Sequence, residues 1–358
     1  MTPKKSLLIK NTQILDPELP VQSSERFDVW ISGSRIERIS PAQSDSAPDG
    51  VDYIEASNHC LVPGLINAHT HSPAAYAKGT IDVDNHPSFM WRNQAETLGR
   101  SSEEIYNCTL LSGIELIQSG VTAVIDHYPE QPFSFDDVKP VVQAYVDLGL
   151  RANIALRVFD EPYYDILPAD NRAIPSHLAT VIDQGPLTPS SANQQLELCE
   201  SLIKAYDGAG DGLIKIMLAP SAPLRCSDKF LKALVNLSER YAVGLHTHLL
   251  ETPIAAQISQ QRFGKSLVRR MQDLGMLSSR LSCAHAIYVD DDDIERLSQT
   301  ETVVVHNPVS NLRIGDGVAP IARMHQAGVA IAFGTDGAST NDNLNILEEI
   351  KFGTILQR

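Results

Sequence analysis

Apolar and polar positions follow two different regimes along the chain. Up to about residue 60 the apolar runs are short. Residues 6–15, 27–32, 35–39 and 52–56 read as strands separated by turn-rich segments. Ser32-Gly33-Ser34 has the composition of a hairpin turn, and the Ser/Pro/Asp-rich residues 41–50 that of a loop. Residues 1–60 are therefore expected to form part of a small β-sandwich. Beyond residue 60, near-continuous apolar runs recur at residues 60–69, 122–127, 151–159, 212–220, 242–250, 281–289, 302–307 and 329–336. Such runs suit parallel strands covered on both faces. Helical patterns lie between them. The clearest, residues 136–148, sets Val138, Val141, Val142, Tyr145 and Leu148 at helical spacing, with Gly149 to end it. Eight such units predict an α/β fold, a (β/α)8 barrel over residues 61–358, with a doubly wound sheet as the architectural alternative. Two long excursions follow strand ends and read as lids or substrate walls: residues 72–101, with His86, Phe89, Met90 and Trp91, and residues 160–193, rich in Pro, Ser and Tyr.

Composition narrows the function classes. A net charge of -15, with no basic patch to offset it, argues against a nucleic-acid partner. The apolar stretch from Ser6 to Ile9 is too brief for a signal-peptide core, and no apolar run approaches the length of a membrane span. The five cysteines (Cys60, Cys108, Cys199, Cys226 and Cys283) are scattered and odd in number, as expected of reduced thiols in a cytoplasmic protein.

The candidate chemistry stands at the strand ends, which in a barrel surround the active site. The first strand ends in His69 and His71, spaced i, i+2 and so on one face. The second ends in Asp126-His127, the fourth in Pro220-Ser221, and the fifth carries His246-Thr247-His248 with Glu251 just beyond. The sixth carries His285, the seventh ends in His306-Asn307, and the eighth in Asp336. Seven of the eleven histidines occupy such ends, which points to a metal site. A catalytic divalent ion takes three or four protein ligands and keeps one position open. His69, His71, one histidine of the fifth strand and Asp336 supply that set, and zinc or iron(II) both suit it. His246 and His248 share a face, so spacing leaves the choice between them open. Glu251 is within reach of a substrate at the ion. The remaining residues have two readings each. His127 lines the pocket or packs; His306 and Asn307 hold the turn at Pro308 or touch substrate. Trp91 stacks on a planar ring or fills a small core. Arg157 binds an anionic group or forms an ion pair, and Ser310 and Asn311 brace their loop.

Taken together, Pro63-Gly64-Leu65-Ile66-Asn67-Ala68-His69-Thr70-His71, His246-Thr247-His248-Leu249-Leu250-Glu251-Thr252, Ala284-His285, His306-Asn307-Pro308-Val309-Ser310-Asn311-Leu312 and Gly334-Thr335-Asp336 resemble the amidohydrolase superfamily. The likeness is to its cytosine-deaminase-like group, which includes guanine deaminases, adenosine-type deaminases and triazine hydrolases. The resemblance implies one divalent metal ion, zinc or iron(II), on His69, His71, His248 and Asp336, with Glu251, His285 and Asp336 as catalytic residues. It implies hydrolytic deamination of an aminated purine, pyrimidine, pterin or triazine. Asp336 would take the water's proton, Glu251 would start protonated and protonate a ring nitrogen, and His285 would stabilise the attacking oxygen. Trp91, His127, Ser221, His306 and Asn307 are the candidate substrate contacts. Dechlorination or amide and amine cleavage is the alternative within the group, and a metal-stabilised scaffold the alternative of another class. Two departures are visible. Ser221 stands where adenosine-type members carry histidine, and Ser72-Pro73-Ala74-Ala75-Tyr76-Ala77-Lys78-Gly79 differs from their usual segment. Both point away from an S-adenosylhomocysteine substrate. Only 22 residues follow Asp336, so the resemblance implies an incomplete N-terminal β-sandwich. It also allows a homo-oligomer, which would cover exposed strands.

Overall fold

The computed structural model describes residues 6–15, 25–43, 50–80, 86–128, 133–161 and 188–358. Two compact units divide the chain, Met1–Gly64 and Leu65–Arg358.

The first unit is a single sheet of five strands: β1 (Ser6–Ile14), β2 (Phe27–Ser32), β3 (Arg35–Pro41), β4 (Asp52–Glu55) and β5 (Cys60–Leu61). The order is β3-β2-β1-β4, with β5 also on β1. β2 and β3 form the expected hairpin, turning through Gly33 at φ 60°, a value glycine adopts without steric cost. Val29 and Leu8 are buried, while Ile36, Ile39, Tyr53 and Ile54 are exposed. A second sheet facing this one is not found among the unit's described residues. Cys60 and Leu61, read above as the start of the first barrel strand, pair instead with Gln13 and Ile14 of β1. Pro63 has no backbone N–H to give to a ladder, and the barrel strand begins at Leu65.

Among its described residues the second unit holds eight strands, all parallel and in chain order: β6 (Leu65–Thr70), β7 (Val121–Tyr128), β8 (Arg151–Val158), β9 (Ile214–Pro220), β10 (Leu245–Leu249), β11 (Leu281–His285), β12 (Val303–His306) and β13 (Ile331–Phe333). The seam between β13 and β6 is joined just beyond the strands: the Asp336 amide donates to His69 O (3.0 Å), and Thr70 Oγ1 donates to Asp336 O (2.9 Å). Asn67 braces the same seam, its Nδ2 donating to Thr335 Oγ1 (2.7 Å) and its Oδ1 accepting from the Thr335 amide (3.2 Å). This is a (β/α)8 barrel rather than a doubly wound sheet.

Strand parity separates two apolar layers. Ile154, Leu156, Ile216 and Leu218 belong to the large core shared with the helices. Ala155, Met217 and Ala219, on the alternate positions of β8 and β9, form a small separate cluster. Helix α3 (Phe135–Leu148) matches the predicted periodicity and ends at Gly149, φ 67°. The described residues of the first excursion form a 3-10 turn at Ser72–Ala77 and helix α1 (His86–Thr97), and α2 (Ser102–Gln118) follows it. Helix α2 starts from a reciprocal cap between Ser101 and Glu104. Residues 162–187 of the second excursion lie outside the described residues. No helix among the described residues is long and apolar enough to cross a membrane.

Candidate active site

Three histidines converge at the strand ends, and each commits Nδ1 elsewhere. His69 Nδ1 lies 2.8 Å from His246 Nε2, His71 Nδ1 donates to His127 O (3.0 Å), and His248 Nδ1 donates to Ser221 O (2.6 Å). What remains for each is Nε2. His71 Nε2 is 3.3 Å from His248 Nε2, and Asp336 Oδ1 is 3.5 Å from His69 Nε2 and 3.2 Å from His71 Nε2. His69 Nε2 is buried and has no hydrogen-bond partner. A tetrahedral ion with ligand arms of about 2.1 Å sets its ligand atoms about 3.4 Å apart, so the spacing fits a zinc-sized cation. Burial pulls His69 well below the ordinary imidazole pKa and His248 down to about 4, which keeps a lone pair available for an ion.

The two fifth-strand histidines differ in what each ring touches, in line with the His248 that the resemblance implies. His246 is occupied on both nitrogens: Nε2 meets His69, and Nδ1 is 2.7 Å from Ser282 Oγ. Its ring braces His69. His248, two residues nearer the strand end, turns Nε2 toward His71.

Asp336 is anchored from several directions. Its φ is 61°, a left-handed conformation that aspartate tolerates better than most residues. Ser310 Oγ donates to Oδ2 (2.6 Å) and the Gly337 amide to Oδ1 (2.8 Å). Burial disfavours its charge, but the imidazoles of His69 and His71 outweigh that and hold it well below the usual carboxylate range. Close to it, Glu251 Oε1 faces His285 Nε2 at 3.5 Å, while His285 Nδ1 donates to Asn311 Oδ1 (2.8 Å). Glu251, His285 and Asp336 form one cluster. Burial would raise the Glu251 pKa, but His285, His86 and His248 together pull it below the ordinary value.

A cavity of about 280 Å³ opens onto this cluster, with His71, His248, Glu251 and Asp336 in its lining. Its walls are largely apolar, with Phe89 and Met90 from α1, and Leu224, Ile254, Ile258 and Ile314 from later segments. Ser221 lines it and accepts a hydrogen bond from Arg157 Nε (2.9 Å). Other residues singled out from sequence lie elsewhere. Trp91 is exposed and outside the lining; on one turn of α1, its neighbours Phe89 and Met90 take the inward positions. His127 packs with its ring 4.5 Å from that of His248 and does not line the cavity. His306 is buried against Phe333, and Asn307 is buried with its amide 3.4 Å from His285 Nδ1; neither lines the cavity. Sequence reading gave no role to Asp316, nor a particular one to His86. Both line the cavity, and His86 Nδ1 is 3.1 Å from Asp316 Oδ2. The only local signal was Gly315-Asp316-Gly317, a carboxylate fixed between two glycines with positive φ.

Comparison with known proteins agrees with this arrangement. Residues 60–358 match the Amidohydrolase family. The 5-methylthioadenosine/S-adenosylhomocysteine deaminase of Caldanaerobacter subterraneus subsp. tengcongensis is 31% identical over 99% of this chain and 74% of that protein. The 5'-deoxyadenosine deaminase of Methanosarcina acetivorans is 30% identical over 98% and 74%. Among solved structures, a zinc-bound adenosine deaminase from Xanthomonas campestris superposes with a TM-score of 0.81 at 24% identity, over 99% of this chain and 74% of that one. A triazine hydrolase from Arthobacter aurescens gives 0.83 at 21%, over 99% and 76%. With the match running through the whole barrel and every segment of the histidine ring, the chain belongs to the amidohydrolase family, a family of metal-dependent hydrolases.

Proposed function

We propose that this protein hydrolyses the exocyclic carbon–nitrogen bond of an aminated nitrogen heterocycle, releasing ammonia, and that its substrates are 6-aminopurine compounds with an apolar substituent. The observation that carries this reading is the convergence of His69, His71, His248 and Asp336 beside the Glu251–His285 pair, with His71, His248, Glu251 and Asp336 lining one cavity. The deaminase relatives favour an aminopurine. The apolar wall built by Phe89, Met90, Ile254 and Ile314 favours a substituent without charge.

His69, His71, His248 and Asp336 are the proposed holders of one divalent ion, zinc or iron(II). Such an ion supplies Lewis acidity, which brings the ionisation of water toward neutral pH. The chain's own groups handle the protons. Glu251 accepts a proton from the attacking water as the new carbon–oxygen bond forms, then passes it to the adjacent ring nitrogen. His285 holds the incoming oxygen by a hydrogen bond from Nε2, its orientation set by Asn311. Asp336 takes the second water proton and delivers it to the amino group, which leaves as ammonia when the carbon–nitrogen bond breaks.

A panel of adenosine, 5'-deoxyadenosine, 5'-methylthioadenosine, S-adenosylhomocysteine, guanine, cytosine, an aminotriazine and a chlorotriazine tests this. Ammonia and chloride are both measured, with zinc or iron(II) supplied. Ammonia release from 5'-deoxyadenosine and 5'-methylthioadenosine, abolished by a chelator and restored by metal, is the expected result. Chloride or alkylamine release without ammonia moves the assignment to the dechlorinating or amine-cleaving reading. Metal-loaded protein inert on the whole panel overturns the proposal.

A further inference from the structure

Two imidazoles approach Glu251 Oε1, and His285 is the one already described. The other, His86 at the start of α1, brings Nδ1 to 3.6 Å from Glu251 Oε1 and 3.1 Å from Asp316 Oδ2. Asp316 is almost fully buried, and its position is fixed by its own backbone. Its amide donates to Asn311 O (2.8 Å), and its carbonyl accepts from Tyr288 Oη (2.6 Å). Gly317 holds the turn at φ 126°, where an added Cβ would meet Tyr288 Oη at 3.0 Å. Asn311 therefore serves both imidazoles: its side chain orients His285, and its backbone fixes the turn that carries Asp316. Phe89 of α1 packs on Ile314 in the same turn, so α1 meets this loop through an apolar contact and a polar one.

We propose that His86 and Asp316 are positioning residues for Glu251: seated on Asp316, the His86 ring forms the second side of a clamp whose first side is His285, and the clamp aims the Glu251 carboxylate at the substrate. The inference rests on Glu251 moving protons in the proposed reaction. His86 Nδ1 faces two carboxylates, nearer to Asp316 (3.1 Å) than to Glu251 (3.6 Å), so Asp316 seats the ring beside Glu251. A carboxylate held between two imidazoles has few rotamers open to it, which is how a supporting shell raises the rate of a proton transfer it does not itself perform. Burial works against a charge on His86, but Glu251 and Asp316 outweigh it and lift its pKa to about 9.

The test uses the metal-loaded enzyme and the best substrate of the panel above. His86→Phe, His86→Asn, Asp316→Asn and Glu251→Gln are compared for kcat, KM, metal content and thermal midpoint. His86→Phe should lower kcat about 10–100-fold, short of the loss of a proton-transferring group itself, with KM changed less than threefold and metal content unchanged. His86→Asn, whose amide N–H occupies the place of Nδ1, should recover most of that loss. Asp316→Asn, which keeps the shape of the turn, should lower kcat in the same direction. Because the clamp acts through Glu251, adding His86→Phe to Glu251→Gln should cost nothing further. A wild-type kcat in His86→Phe or Asp316→Asn, a change confined to KM, or a full additional loss in the double variant overturns the clamp. A wild-type kcat in Glu251→Gln instead overturns the proposed function, and the two failures are told apart by which single variant stays active.

Discussion

An imidazole has two ring nitrogens, and at this site the role of each histidine follows from which of them is already engaged. His71 and His248 spend Nδ1 on backbone carbonyls, and His69 spends it on His246, so a matching Nε2 is left on each. The second layer, His246 with Ser282 behind it, aims His69 in the way that partners outside a metal's ligand set commonly do. His248→Ala should therefore abolish stoichiometric metal binding, whereas His246→Ala should weaken it by about 10–100-fold, both read by metal analysis under chelator competition. Equal losses in the two variants would contradict the assignment of His248 as the ligand. Glu251→Gln should lower kcat by about 10²–10⁴-fold while the protein retains its metal, because the amide cannot accept the water's proton. Much of this was legible in the chain: His69, His71, Glu251, His285 and Asp336 were picked out by residue type at strand ends. The parity of His246 and His248 could not separate them, since residues two apart share a face and differ only in depth. Trp91 was misjudged because α1 turns Phe89 and Met90 inward instead.

At the scale of the element, strand ends do more than carry side chains. The ladders stop earlier than the apolar runs suggest: β11 ends at His285 and β13 at Phe333, while sequence reading extended them to residues 289 and 336. His285, Ala286 and Asp336 all take positive φ, so the chain leaves the ladder where the functional residues stand, although the apolar pattern continues past it. Backbone closeness at the seam has a specific requirement. A Cβ on Gly334 would sit 2.7 Å from His69 Cβ and 2.5 Å from Asn307 Oδ1, so β6 and the end of β13 can approach only across a residue without a side chain. Gly334→Ala should destabilise the fold by about 1–3 kcal/mol and reduce metal occupancy, seen as a lower thermal midpoint together with substoichiometric metal. A variant with unchanged stability and full metal content would show that the seam has slack. The glycine itself was visible in the Gly334-Thr335-Asp336 motif, but the partner it must clear lies 265 positions away in sequence.

For the molecule as a whole, closing the barrel creates a buried carboxyl group far from water. Glu349, in the helix Ile346–Leu356, takes hydrogen bonds from Asn341 Nδ2 (2.6 Å) and the Val309 amide (3.2 Å). Burial lifts its pKa from 4.5 to about 8. The unfolded chain loses this proton near 4.5 and the folded protein only near 8, so between those values the folded state holds one more proton. Stability then falls with rising pH by about 1.4 kcal/mol per unit from this group. Glu349→Gln should flatten the stability profile between pH 5 and pH 8, as measured by denaturant midpoints; parallel profiles for the two proteins would count against it. The chain alone determined the order of eight strand–helix units and the kind of chemistry at their ends, because strand and helix periods and residue types are local properties. Tertiary structure decided the rest. It turned His248 Nε2 toward His71 while engaging both nitrogens of His246, set His86 and Asp316 beside Glu251, and left His127 and His306 out of the cavity wall. Those outcomes depend on ring orientation, depth within the barrel and the summed field of neighbouring charges, which exist only once distant segments are packed side by side.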